Sequence, residues 1–399
     1  MELIQTEKFS DTYILIRTLL PLTKEVVTKL NILIYMMRAR TEKFDTKQKL
    51  SMALNSTYGM SVAYGLSGYG KQVALDIRFK YIREDFIQKD GYVEKVVDIM
   101  DQVLHHSVLN EATLKEAKYL LKAKLTSQQD DPDSIAIKNA LEKAQKDHEI
   151  SIQIQGYMDE IDPITVEDMK SLYKDLIDMP KLVLGCGSIC QPVQQFLETI
   201  KQTSFITNQS SIIEKQDLAF TLESKDISQA SLIQVYADHI AMDEKLYYPL
   251  LVMNSMLGQC PMNLLFEEVR EKKSYCYSIS SNLIRFDGAL VIMVGTNKEN
   301  IEDVQRLIQV QIDRLIQNDV DKELMNIAKS DLIDMIQAQH DQASSMIEQK
   351  FLDALLKRSE TSEERIEKIR KVTMEEVQQV AKQLDLVSVS IVEENDDEI

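Results

Sequence analysis

A repeat of about 210 residues is the feature that most constrains how this chain can fold. Three segments of the first half resemble segments of the second half, in the same order. They align Lys118 with Lys329, Thr165 with Thr373, and Ala74 with Ala289, at offsets of 211, 208 and 215 residues. One such match could arise by chance, because helices share simple patterns. Three matches in order at nearly one offset indicate a duplicated domain.

The duplication divides the 399 residues into two domains, 1–200 and 217–399. Length alone would allow two or three domains. Residues 201–216 are rich in Ser, Thr, Asn and Gln, which is a composition typical of a linker. The sequence therefore predicts two homologous domains joined by a polar linker.

Each copy alternates strand-like and helix-like segments. Strands are predicted at 12–20, 73–80 and 181–186, and again at 231–237, 289–295 and 386–392. Helical spacing fills most of the sequence between them, and Thr165 and Thr373 each begin a helix with a capping pattern. We expect an α+β fold, with a mainly antiparallel sheet in each domain and helices packed on one face of it. The two domains are predicted to face each other as a clamshell.

Composition excludes several classes of function. The net charge of -18 gives no general electrostatic reason to bind nucleic acid or an anionic membrane. The longest apolar run, at 13–20, is interrupted by Arg17 and is too short to span a bilayer. The N-terminus does not resemble a signal peptide, and four cysteines are too few for a disulfide framework. These features predict a cytoplasmic protein.

Spacing alone reveals no self-contained active site. None of the five histidines has another at i+3 or i+4, so no helical zinc pair exists. Cys186 and Cys190 have no second cysteine pair with which to form a zinc site. The sequence also contains no glycine-rich phosphate loop and no G-x-S-x-G motif.

The segment from Gly258 to residue 281 has two interpretations. In a structural interpretation, Arg270 completes the dipole at a helix end and Tyr277 belongs to an ordinary strand. In a functional interpretation, Arg270 and Tyr277 both reach a peptide carbonyl, one as a cation and the other as a hydroxyl donor. Such donors stabilise a developing oxyanion. Spacing alone favours the structural interpretation.

Residues 265–278, LFEEVREKKSYCYS, followed by GAL at 288–290 and GT at 295–296, resemble the C-terminal domain of the pitrilysin/insulinase family of metallopeptidases. The resemblance extends to TEK at 41–43, Asp131-Pro132, and the helix start ITVED at 164–168. The duplicated layout is also similar to that family. Within it, the chain looks most similar to zinc-less bacterial proteins that are associated with 5-aminopentanol modification of elongation factor P.

This sequence departs from the family at its inverted zinc motif, H-x-x-E-H. The motif would fall on residues 31–35, where Asn31 and Tyr35 replace the histidines and Ile34 replaces the glutamate. The distal glutamate ligand would fall near residues 117–124, where the closest carboxylate is Glu116. Without two imidazoles and a base, the resemblance implies no bound metal and no cleavage by this chain alone.

The resemblance implies a non-catalytic subunit of a heterodimeric zinc peptidase. A zinc-bearing homologue would be its partner, and Arg270 and Tyr277 would bind the substrate backbone near the scissile bond. Family substrates add as a strand to an exposed sheet edge, and such an edge is expected in the first domain. The alternatives are a peptide- or protein-binding scaffold without proteolysis, acting in a modification pathway such as that of elongation factor P, and an autonomous enzyme with another metal site. A homodimer of the isolated chain is also an open possibility.

Overall fold

The computed structural model describes residues 1–87, 89–203, 206–207 and 209–395 of the 399. Its strands are β1 (Glu2–Gln5), β2 (Asp11–Pro21), β3 (Ser61–Tyr69), β4 (Gln72–Ile82), β5 (Leu182–Gly187), β6 (Ala219–Lys225), β7 (Ala230–Ala237), β8 (Cys276–Ile284), β9 (Ala289–Thr296) and β10 (Asp385–Glu394). Its α-helices are α1 (Lys24–Met37), α2 (Lys47–Ser56), α3 (Tyr92–His105), α4 (Glu111–Gln129), α5 (Pro132–Ala144), α6 (Val166–Asp178), α7 (Gln191–Thr199), α8 (Tyr247–Asn254), α9 (Ile301–Gln317), α10 (Lys322–Ala338), α11 (Ala343–Leu355), α12 (Ser362–Lys371) and α13 (Met374–Ala381). Two π-helical segments cover Ser255–Gln259 and Phe266–Lys272.

The described residues form two compact units. Unit 1 comprises 1–126, 153–208 and 339–358, and unit 2 comprises 127–152, 209–338 and 359–399. The boundaries predicted from the repeat, 1–200 and 217–399, concern where the duplicated sequences end and stay a prediction. Within the predicted linker at 201–216, Ser204, Phe205 and Asn208 lie outside the described residues.

Each unit contains a five-stranded mixed sheet, and the two sheets share one topology. The strand order is β1-β5-β2-β4-β3 in unit 1 and β6-β10-β7-β9-β8 in unit 2. In each sheet the first pair of strands is parallel and the other three pairs are antiparallel. The predicted α+β class with mainly antiparallel sheets is confirmed. All six of these predicted strands are present, and so is β8, the strand expected around Tyr277; β1, β3 and β6 were not predicted.

Each unit includes one helix that comes from the other half of the sequence. Helices α5 and α11 begin 211 residues apart and have the same length of 13 residues. Helix α5 packs on β7 and β10 in unit 2, whereas α11 packs on β2 and β5 in unit 1. Each sheet is therefore covered by a helix that originates in the other copy of the repeat.

Equivalent side chains repeat their contacts in the two units. The Nζ atoms of Lys118 and Lys329 each donate to a main-chain carbonyl three residues ahead of a capping threonine. The carbonyls are those of Asp162 ahead of Thr165, at 2.8 Å, and Arg370 ahead of Thr373, at 2.9 Å. Both threonines form complete capping boxes, as the sequence predicts.

A buried arginine organises the core of unit 1. Arg17 on β2 is 1% exposed and lies directly opposite Asp76 on β4. Its Nε and Nη2 donate to the two carboxylate oxygens of Asp76 at 2.7 and 2.8 Å. Glu348 on α11 accepts from the same guanidinium at 2.9 and 3.2 Å, and Phe351 covers its carbon at 4.1 Å from the ring centroid. Burial alone would lower the pKa of Arg17, but Asp76 and Glu348 hold it above its ordinary value.

We predict that Asp76→Asn destabilises the protein by about 3–5 kcal/mol, because it leaves a buried guanidinium without its main counter-charge. Chemical denaturation of the full chain measures this free energy of unfolding. Asp98→Asn is the matched control, since Asp98 pairs with Lys43 at the surface and a surface pair contributes about 1 kcal/mol or less. Equal effects of the two substitutions would contradict the central place of the Arg17 network.

Two aspartates of unit 2 predict a pH dependence of stability. Burial raises the pKa of Asp238 to about 7, and the charge of Glu244 acts in the same direction. Burial also raises the pKa of Asp287 to about 7, with a further contribution from Glu149. Because these values exceed the unfolded value of about 4, the folded state binds more protons between about pH 4 and pH 7.

The contribution of Asp238 and Asp287 to stability is therefore complete below about pH 4 and is lost as the pH rises to about 7. We predict that the double variant Asp238→Asn, Asp287→Asn loses less stability between about pH 5 and pH 8 than the native chain, where each unit of pKa difference corresponds to about 1.4 kcal/mol. Urea unfolding at both pH values tests this. Asp243→Asn, at an exposed position, serves as the control, and its free energy of unfolding should change with pH as that of the native chain does. If the double variant lost as much stability between the two pH values as the native chain, Asp238 and Asp287 would not be its cause.

Candidate functional site

Helix α1 carries Asn31, Ile34 and Tyr35, the three residues on which the family resemblance places the zinc motif. It begins after Thr23, which adopts an extended conformation, and most of its side chains are buried. Asn31 is 7% exposed and Ile34 is 8% exposed, while Tyr35 is half-buried. Because residues 31, 34, 35 and 38 lie about one turn apart, they share one face of the helix.

The Asn31 amide has a structural task. Its Nδ2 donates to the carbonyls of Val27 and Ile154, each at 2.8 Å. The first bond lies within the helix, and the second holds the chain around residue 154 against it. Both hydrogens of this amide are therefore committed to main-chain carbonyls.

A cavity of about 170 Å³ opens at this face of α1, and unit 1 provides its entire lining. Asn31, Ile34 and Tyr35 line it together with Arg38 from the end of the same helix region. The rest of the lining consists of Tyr64, Gly65, Leu66, Lys124, Ile154 and Gln155. The structure thus brings the three predicted motif positions to one place.

The residues around this cavity do not fit a zinc ion. Zinc is held by imidazole, thiolate or carboxylate groups, and the cavity lining contains none of these. The position of the expected base is occupied by the aliphatic Ile34, and two cations, Arg38 and Lys124, would repel a metal ion. Across the described chain, no cluster of three or more His, Cys, Asp or Glu residues could hold a metal.

Helix α4 contains the region where the resemblance places the distal glutamate ligand, and two of its residues have different surroundings. Glu116, the carboxylate closest to residues 117–124, bonds to Lys47 and lies 3.5 Å from Arg40. It is not part of the cavity lining. The residue of this helix that does line the cavity is Lys124. Sequence reasoning did not identify Arg38 or Lys124, although Arg38 follows Tyr35 at helical spacing.

The cavity lies beside a sheet edge. β3 is the last strand in the order of the unit 1 sheet, and three consecutive residues of it, 64–66, contribute to the cavity lining. An edge strand presents main-chain donors and acceptors that a further strand can use. The substrate edge that the family resemblance implied for the first domain therefore has a specific candidate in β3.

Arg270 lies in the π-helical segment Phe266–Lys272 of unit 2. Its side chain is exposed, and its guanidinium carbon stacks 4.9 Å from the centroid of Phe266. In the part of the chain that is described, Arg270 has no carboxylate within ion-pair distance. π-Helical turns within helices occur frequently at functional sites. An exposed, unpaired and stacked guanidinium is available to bind a carbonyl or an anion.

Tyr277 lies at a β-bulge. Cys276 pairs with Thr296 and Ser278 pairs with Gly295, so Tyr277 is the extra residue of β8. The bulge turns Tyr277 outward, to 59% exposure, while Cys276 is buried. Its hydroxyl donates to Oδ1 of Asn297 at 2.9 Å. Bulges commonly redirect a side chain in this way, and here the ring does not face the core.

Gly258 permits the close packing behind this segment. A Cβ atom at Gly258 would lie 2.6 Å from Oγ of Ser281 and 2.7 Å from its main-chain nitrogen. Since Ser281 belongs to β8, only a glycine allows the π-helical segment Ser255–Gln259 to approach this strand so closely. The strand that carries Tyr277 is thus closely packed against the segment Ser255–Gln259.

Other sequence candidates have structural roles. His105 Nδ1 lies 2.8 Å from Asp101, and His106 contacts both Asp101 and Glu42 at 3.2 Å. The four cysteines are free thiols.

No helix within the described residues is long and apolar enough to cross a membrane.

Comparison with known proteins identifies a family segment. Residues 164–332 match the family model of the "Peptidase M16 inactive domain". The chain is 24% identical over 322 residues to the "Probable inactive metalloprotease YmfF" of Bacillus subtilis strain 168. This alignment covers 77% of this chain and 75% of that protein. It is 23% identical over 302 residues to the "Uncharacterized zinc protease YmxG" of the same strain, with coverages of 74% and 73%.

The fold is also found among solved structures. The crystal structure of a conserved protein from Enterococcus faecalis V583 matches with a TM-score of 0.90 and 22% identity, covering 100% of this chain and 96% of that one. Together these matches support the predicted resemblance in its general form: residues 164–332 resemble the inactive domain of M16 peptidases, and the chain is similar to M16 peptidase-like proteins.

The cavity predicts how a zinc site could be rebuilt. We expect the variant Asn31→His, Ile34→Glu, Tyr35→His, Lys124→Glu to bind about one zinc ion per chain, because it supplies two imidazoles and a carboxylate ligand at this cavity. Metal analysis after dialysis measures the bound zinc. The matched control replaces Lys122 instead of Lys124, since Lys122 lies on the same helix but bonds to Asp162. Equal zinc content in both variants would show that Lys124 does not occupy the distal ligand position.

Proposed function

We propose that this M16 peptidase-like chain is a non-catalytic subunit of a two-chain zinc peptidase. In this proposal it binds the peptide substrate and contributes Arg270 and Tyr277 to the active site of a zinc-bearing partner. One observation carries the proposal: the motif cavity lacks metal donors, while Arg270 and Tyr277 are exposed on unit 2. A chain that has lost the metal site but presents carbonyl-binding donors suits a supporting role.

The chemistry of the pair supports this role. A guanidinium and a phenol are both hydrogen-bond donors at neutral pH, and donors held near a scissile carbonyl stabilise the oxyanion of a tetrahedral intermediate. Arg270 is held by stacking on Phe266 and Tyr277 is held by its bond to Asn297. Stacking orients the Arg270 guanidinium before a substrate arrives. The Tyr277 hydroxyl has one hydrogen to donate, so it exchanges its bond to Asn297 for a bond to the carbonyl oxygen when a substrate binds.

Peptide binding is proposed for the edge of β3. An extended peptide can pair with an edge strand through main-chain hydrogen bonds, with little regard to its sequence. Tyr64, Gly65 and Leu66 would bring such a peptide beside the cavity. Strand addition also predicts that a peptide N-methylated at alternate residues loses its affinity, because N-methylation removes the main-chain donors.

A second candidate function is a peptide- or protein-binding scaffold without proteolysis, acting in a modification pathway such as that of elongation factor P. The observation in its favour is that β3 and the cavity belong to unit 1 and need no chemistry from Arg270 or Tyr277. This candidate predicts a cellular role that survives loss of the zinc ligands in a partner. The first candidate predicts that the role is lost.

We predict that Arg270→Ala and Tyr277→Phe each lower peptide cleavage by the chain and its zinc-bearing homologue, by about 10²-fold if the donor is used fully in the transition state. The assay is kcat/KM of the co-expressed pair on a fluorogenic peptide. Arg370→Ala and Tyr119→Phe are matched controls, because they remove the same groups at other exposed positions. Unchanged cleavage in both test variants would eliminate the assigned roles.

A further inference from the structure

The cavity beside α1 is positively charged, in a protein whose net charge is -18. Its polar lining includes the Lys124 ammonium, the Arg38 guanidinium and the hydroxyls of Tyr35 and Tyr64. Every one of these groups can donate a hydrogen bond. No Asp or Glu is among the lining residues. The lining is therefore complementary to a negatively charged group.

The two cations have no counter-charge within the described chain. Neither the Lys124 ammonium nor the Arg38 guanidinium takes part in an ion pair or a side-chain hydrogen bond there. Lys118 and Lys122, on the same helix, both bond to Asp162. Lys124, which lines the cavity, has no such partner.

The local electrostatics agree with this geometry. Desolvation lowers the pKa of Lys124, and no carboxylate acts on it in the opposite direction. Burial raises the pKa of Tyr64, whereas the charge of Arg38 acts to lower it, so these two groups lie close together. An anion in the cavity would offset the partial desolvation of the Lys124 ammonium.

The size and surroundings of the cavity limit the ligand. A volume of about 170 Å³ corresponds to roughly six water molecules in the liquid, which is enough for one carboxylate-bearing group and too small for a peptide. Arginine binds a planar carboxylate through two parallel hydrogen bonds, and lysine adds a point charge. Because β3 residues 64–66 form one wall, a peptide on this edge would lie next to the cavity.

We propose that this cavity binds a carboxylate of the peptide ligand, so that the degenerate zinc site selects acidic peptides. The carboxylate comes either from an Asp or Glu side chain or from the C-terminus of the peptide. This inference rests on the proposed peptide-binding function and adds a specificity to it. Lys124 and Arg38 are the residues that confer the specificity.

The test uses the full chain and short peptides of alternating Thr and Val, labelled for fluorescence anisotropy. One peptide has a central Glu and an amidated C-terminus, a second has Gln in its place with a free C-terminus, and a third has Gln and an amidated C-terminus. We expect at least one carboxylate peptide to bind about tenfold more tightly than the third peptide, since charge-assisted hydrogen bonds are the strong ones. The first two peptides distinguish the side chain from the terminus.

The variants Lys124→Gln and Arg38→Gln should each remove this preference while retaining the weaker binding of the neutral peptide. Lys115→Gln is the matched control, because Lys115 is an exposed lysine on the same helix outside the cavity lining. It should keep the native preference. Equal thermal midpoints of the four proteins establish that the variants are folded.

The outcomes separate the two levels of the proposal. Equal binding of all three peptides would overturn the carboxylate site but leave peptide binding intact. A preference that persists in both Lys124→Gln and Arg38→Gln would also overturn it. Failure of the native chain to bind any of the peptides would overturn the proposed peptide-binding function and this inference with it.

Discussion

The buried guanidinium of Arg17 is the interaction on which the organisation of unit 1 depends. A charge that is 1% exposed must be neutralised within the protein, and Asp76 on the adjacent strand does this through two hydrogen bonds. Glu348 adds a second carboxylate from a helix more than 300 residues away in sequence. Because Glu348 and Phe351 lie on α11, the arginine also fixes which helix covers this sheet. The exchange of α5 and α11 between the two copies therefore has a specific electrostatic anchor in unit 1.

The family resemblance places a zinc motif on residues 31–35 of α1, and the side chains at these positions have other roles. Asn31, where the resemblance places a ligand, is a structural hydrogen-bond donor, and Ile34, where it places a general base, is apolar and buried. Lys124 brings a positive charge where the resemblance places a negative ligand. A cavity is nonetheless retained beside an edge strand. The proposed peptide binding therefore needs only the edge strand and the cavity, and it needs no group that activates water.

Local patterns predicted much of the fold, whereas long-range packing did not follow from them. Alternation identified β2, β4, β5, β7, β9 and β10, and the capping boxes at Thr165 and Thr373 followed from four residues each. The exchange of helices depends on contacts such as that of Arg17 with Glu348, which no local pattern reveals. β3 is short of strongly apolar residues at alternate positions, as an edge strand often is. For the site, the motif positions were predictable, but Arg38 and Lys124 come from different helices, and the outward turn of Tyr277 depends on the register of β8 against β9.

The central claim is that this chain and a zinc-bearing homologue form one peptidase. It is tested most directly by titrating the purified chain into a fixed concentration of that homologue and measuring the rate of peptide cleavage. The account predicts no cleavage by either protein alone and a rate that rises to saturation at an equimolar ratio. Full activity of the homologue in the absence of this chain, with no increase on its addition, would contradict the account.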